Sequence, residues 1–156
     1  MTDESDGREP PENVHALLHR IDEKWRELLE TLDAVPEDRL EDPGASSEWS
    51  VKNLMGHLAF WDDIAIGKIE RALARQPAAE VEFQPLNDAD HAARRGRSLA
   101  EERSAMHQSH AAVIERLDSV AGIEAAPIDE AISPDTYDHY AEHITDIRNW
   151  RQREGV

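Results

Sequence analysis

Apolar residues recur every three or four positions along four separate stretches of this chain, a spacing that admits helices packed on one another and little else. In the first stretch Val14, Leu17, Leu18, Ile21, Trp25, Leu28, Leu29, Leu32 and Val35 fall, at about 100° per residue, within an arc of roughly 120°. Glu23, Arg26, Glu27 and Glu30 take the opposite side. A polar connection over residues 36–48 leads to Ser50, an N-cap for a second helix over 51–74 with the stripe Val51, Leu54, Met55, Leu58, Trp61, Ala65, Ile69 and Leu73. An irregular segment follows Gln76-Pro77 as far as Leu86, then a short helical piece over 88–95. Ser98-Leu99-Ala100-Glu101 has the capping-box pattern and predicts a third long helix over 99–120, ended by Gly122. Ser133-Pro134 reads as an N-cap followed by proline at the first helical position, opening a last helix that runs to about Arg153. No stretch alternates with the period of a strand. The expected fold is all-α, a four-helix bundle.

A chain of 156 residues is one domain's worth. Residues 1–10 read as a disordered acidic leader and 11–156 as a single domain. With a formal net charge of −17, the field repels phosphate backbones and anionic lipid, so neither nucleic acid nor a membrane is an expected partner. No apolar run approaches the ~20 residues needed to cross a bilayer, and the N-terminus is acidic where a signal peptide is basic and then apolar. The expected compartment is the cytoplasm. With no cysteine, any nucleophile or metal ligand must come from His, Asp, Glu, Ser, Tyr or water.

Two of the 8 histidines' pairings share the i, i+4 spacing of one helix face: His15 with His19, and His139 with His143. Facing separates them. His15 and His19 lie about 40° and 80° outside the apolar arc of the first helix, toward solvent. In the last helix, with Thr136 at zero, Ile147, Tyr140, Ile144 and Tyr137 fall at about 20–100°, and Trp150, His143 and His139 at about 300–340°. Asp135, Asp138, Glu142 and Asp146 occupy a neighbouring arc. Two imidazoles buried side by side each keep a polar nitrogen to satisfy. A divalent metal satisfies both, and His57, at the edge of the second helix's stripe, is the best third ligand. Three imidazoles leave positions open for water or substrate, as in catalytic zinc. The competing reading makes His57 a boundary histidine satisfied by ordinary hydrogen bonds.

His110 falls within the third long helix's apolar arc with Arg103 near the same line, and Asp62 lies inside the stripe of the second. A buried salt bridge among them is the simpler account, the polar wall of a cavity the other. Asp62 is also a candidate general base. Trp25, Trp49, Trp61, Trp150 and Tyr137 read as core packing rather than a ligand cage. Tyr140 is the exception, because a phenol one residue from a ligand can donate to bound water or substrate.

The segment Trp49-Ser50-Val51-Lys52-Asn53-Leu54-Met55-Gly56-His57-Leu58, with Trp61 one turn on, and Tyr137-Asp138-His139-Tyr140-Ala141-Glu142-His143-Ile144 resemble the DinB-like (damage-inducible) superfamily of bacterial four-helix bundles. The resemblance implies a three-histidine site for a divalent ion, zinc or nickel, on His57, His139 and His143. It also implies a choice of activities: S-transferases and isomerases that use a low-molecular-weight thiol such as mycothiol or bacillithiol, and self-protection hydrolases that open cyclopropanes. A homodimer is expected on the same analogy. The leading expectation is a metal-dependent enzyme acting on a small molecule, with Tyr140 and Asp62 handling protons and Arg103 as the inward cation for a thiol's polar tail. The alternative is a non-catalytic, stress-associated bundle that binds metal or a small ligand. Free imidazole protonates near pH 6.5, so metal affinity is expected to fall through that range.

Overall fold

A computed structural model of the chain describes residues 9–156. Four long helices carry the core: α1 (Val14–Asp33), α2 (Val51–Leu73), α4 (Leu99–Asp118) and α6 (Tyr137–Glu154), with the shorter α3 (Phe83–Ala93) and α5 (Ala126–Ile132) between them. A 3-10 turn at Glu37–Arg39 lies in the α1–α2 connection, and no strand forms among the described residues. Most of the expected leader, residues 1–8, lies outside the described residues, while Glu9 and Pro10 are exposed.

Local chemistry sets the starts of the long helices. The Ser50 hydroxyl accepts from the Asn53 amide at 3.0 Å, and Asn53 Oδ1 accepts from the Ser50 amide at 2.9 Å. Ser98 and Glu101 make the same reciprocal pair at the head of α4. Each such cap is worth about 1 kcal/mol, because it engages amides that the helix itself leaves without partners. At α1 the Asn13 side chain caps Ala16, and the amides of Val14 and His15 donate to the carbonyls of Ile123 and Ala121. The loop after α4 thus closes the first turn of α1. α2 packs chiefly along α4, and α1 along α6. Leu17, Ile21, Leu28, Leu54, Leu58, Ile69, Met106, Leu117, Ile147 and Trp150 meet in the centre, all fully buried.

Two boundaries depart from expectation. α3 begins at Phe83, inside the segment expected to be irregular, because Pro85 stands in its first turn, where a missing N–H removes no helical bond. Ser133 does not cap the last helix. It follows α5, a short helix with proline in its first turn, and its amide donates back to Asp129. The chain turns at Pro134, and α6 starts after Thr136, whose hydroxyl donates to the Ile132 carbonyl rather than capping.

Candidate metal centre

Three imidazole rings meet where α2 passes α6. His139 and His143 stand one turn apart on α6, and their Nε2 atoms are 3.1 Å from each other. His57, from the edge of the α2 stripe, brings its Nε2 to 3.1 Å from that of His139. The rings cross edge to face, and exposure is 8% for His57, 8% for His139 and 4% for His143. The structure therefore brings together the three histidines that the helical wheel turned inward. His15 and His19 are exposed, as their arc requires.

The donor set fits a small divalent ion. Burial pushes His57 down to about 3, assisted by the nearby His143, Arg94 and His91. Burial likewise holds His139 well below its ordinary value, with His143 and His57 adding to the effect. For these two rings, competition with protons moves below the 6.5 of free imidazole. Nε2 of His139 carries one lone pair or one N–H, so it cannot make good hydrogen bonds to both neighbours. On its other side the ring meets the backbone of Asp135, one turn back, which works against the effect of burial. On the outer side Nδ1 of His143 donates to Asp146 Oδ2 at 2.9 Å, the carboxylate support that orients ligating imidazoles. Two nitrogens 3.1 Å apart subtend about 100° at a point ~2.05 Å from each, the imidazole–zinc distance.

The rim is built mostly by residues that sequence reasoning passed over. Trp49, half-buried, stacks on His91 of α3 at 4.7 Å and meets His57 edge-on at 4.8 Å. Beside them a small cleft is lined by Asn53, His57, Asp90, Arg94 and Glu102. Glu102, 2% exposed, accepts from Arg94 and Arg97 at 2.8 Å each, and Arg94 also donates to Asp90. Glu102 lies against α2 because position 56 is glycine: a Cβ there would stand 2.3 Å from Glu102 Oε2. A glycine in the buried run Leu54 to Ala59 of α2 was the available signal for this close approach.

Behind the histidines lies a buried polar chain. The Tyr140 hydroxyl donates to Asp62 at 2.8 and 3.0 Å and sits 3.0 Å from His110 Nδ1. His110 in turn stacks on Trp25 at 3.7 Å. Burial raises the Asp62 carboxyl well above its usual range and pushes His110 down to about 4. The expected salt bridge is absent, because Arg103 runs outward to Glu37 at 3.4 Å with its side chain 41% exposed. Asp62 and Tyr140 are both 0% exposed, so the Tyr140 proton is engaged in the core. Trp25, Trp61 and Trp150 are core residues, as their positions on the helices imply.

A family model described as the DinB superfamily matches residues 20–150. The chain belongs to the DinB superfamily. Among solved structures it is similar to an uncharacterised protein from Escherichia coli UTI89, with TM-score 0.75 and 15% identity over 94% of this chain and 96% of that one. The colibactin self-resistance protein ClbS, crystallised in complex with double-stranded DNA, matches with TM-score 0.71 and 10% identity over 92% and 98%. DfsB, a sibling lethal factor precursor, matches with TM-score 0.71 and 13% identity over 91% and 96%. At such identities these likenesses show the fold. No curated protein matches the sequence.

ClbS corrects the exclusion of nucleic acid drawn from net charge, since a protein of the same fold is crystallised with a duplex. A sum over the whole surface does not describe the field at one contact, because at physiological salt charges beyond about 8 Å are largely screened. No helix among the described residues is long and apolar enough to cross a membrane.

Proposed function

We propose that this DinB-superfamily chain is a divalent-metal-dependent enzyme, a hydrolase or a low-molecular-weight-thiol S-transferase, acting as one domain over residues 11–156. His57, His139 and His143 would hold zinc or nickel with a coordination position left open. The convergence of three buried Nε2 atoms supports this reading, because no arrangement of their own protons satisfies all three. A bound ion would lower the pKa of a water or thiol and polarise an electrophile.

The chain's own residues prepare the site. Burial keeps His57 and His139 unprotonated and free to ligate near neutral pH. Asp146 fixes the orientation of His143. Tyr140 ties α6 to Asp62 on α2 and His110 on α4, so it acts through the placement of His139 and His143. Burial raises the Asp62 carboxyl within that tie, against the lowering effect of the Tyr140 hydrogen bond. Arg94, rather than Arg103, is the cation beside His57, and Asp90 and Glu102 balance its charge.

The near closure of the three rings to solvent favours a second reading, a non-catalytic metal-binding bundle. Untagged protein loaded with zinc or nickel is assayed against a panel of small electrophiles, with and without a low-molecular-weight thiol. Duplex DNA joins the panel because of ClbS. Metal-dependent turnover that disappears in a folded His57→Ala variant is the expected result. A bound ion with no turnover supports the second reading, and equal rates in wild type and variant contradict the first.

A further inference from the structure

Glu142 is the acidic residue next to His143 on α6. It follows His139 by three positions, within reach of that residue along α6, and directly precedes His143 on the acidic arc beside the two rings. Its Oε2 lies 4.0 Å from Nε2 of His143, the nitrogen that also faces His139. Its side chain is 67% exposed, and among the described residues no lysine or arginine pairs with it.

The other carboxylates around the histidines are engaged. Asp146 meets the outer nitrogen of His143, Asp90 and Glu102 are held by Arg94 and Arg97, and Asp62 accepts from Tyr140 in the core. Three imidazoles supply no negative charge to offset a dication, and one long carboxylate, which the structure groups with His143 and Asp146 and not with His57 and His139, stands 4.0 Å from the His143 nitrogen and is exposed enough to turn toward the ion. On the reading that His57, His139 and His143 hold a divalent ion, we propose that Glu142 is its fourth, displaceable ligand. The carboxylate would occupy the position the three histidines leave open until a substrate heteroatom displaced it. Exposure makes the exchange inexpensive, since the released side chain returns to water and leaves no buried charge behind.

Cobalt(II), a spectroscopic substitute for zinc, is the probe. Untagged full-length protein and its Glu142→Gln variant are freed of metal and titrated with cobalt while the visible ligand-field spectrum is recorded. The variant is expected to bind cobalt more weakly, on the order of tenfold, with a changed spectrum. The unfolding midpoints of the two metal-free proteins should agree, because the side chain is exposed. Equal affinity with an identical spectrum overturns the role of Glu142 and leaves the three-histidine site standing. Failure of wild type to take up cobalt overturns both.

Discussion

Helix α2 contains two glycines whose replacement by alanine should have opposite effects. Gly67 is exposed, and a Cβ there meets nothing within 4 Å. Alanine at that position brings only its helical advantage, so Gly67→Ala should stabilise by roughly 0.5–1 kcal/mol. At Gly56 the same methyl would stand 2.3 Å from Glu102 Oε2 and 2.8 Å from Arg94 Cδ. The carboxylate is the end of a flexible chain, but it is 2% exposed and held by two arginines. Either it stays and the contact is overpacked, at about 1–3 kcal/mol, or it swings out and loses charged hydrogen bonds of about 1.5–3 kcal/mol each. After subtracting ~1 kcal/mol of helical gain from the cheaper route, Gly56→Ala should destabilise by up to about 2 kcal/mol. Urea unfolding followed by circular dichroism measures both variants. In thermal unfolding the two variants' melting temperatures should separate by roughly 1–12 °C, at about 2–4 °C per kcal/mol for a chain of this size. Changes of the same sign at both positions would refute the close approach of Glu102 to α2.

The buried titratable groups carry opposite pH signatures. His110 is pushed down to about 4, so between there and the unfolded value near 6.5 the native state binds fewer protons than the unfolded. Stability should therefore rise with pH through that window, by roughly 3 kcal/mol in all, and His110→Gln should flatten the slope of unfolding free energy. Asp62 is raised, so above its unfolded value near 3.9 the native state retains a proton that the unfolded state has released, and stability falls as pH rises. Asp62→Asn should remove that fall and at pH 7 match or exceed wild type, while Asp62→Ala should lose about 1–3 kcal/mol; equal losses in both would show that the carboxyl is not held neutral. Arg103→Ala removes an exposed pair with Glu37 and should change stability by no more than about 0.5 kcal/mol, checked by thermal unfolding.

The inward positions of His57, His139 and His143 were legible because a helix of known pitch places each side chain relative to its apolar neighbours. Ser50 and Ser98 were equally legible, since a cap is a local contract between residues three apart. What the sequence concealed depends on contacts between distant elements. Glu102 reads as one more acid on a helix until Gly56 is seen to admit it. Arg103 lies near its helix's inner arc, but its long stem carries the charge out to Glu37. Ser133-Pro134 departs from its expected role for a different reason, because the same residue types serve at the start, the end or between helices, and only the neighbouring turns decide. Net charge erred in its turn, because a partner feels a local surface rather than a sum.

The central claim is that three imidazoles form one ion site. Elemental analysis of untagged protein, dialysed against zinc and then against metal-free buffer, tests it most directly. Wild type should retain one ion per chain, and His57→Ala and His139→Ala should retain almost none while keeping their helical content. An empty wild type, or variants that hold as much zinc as wild type, would contradict it.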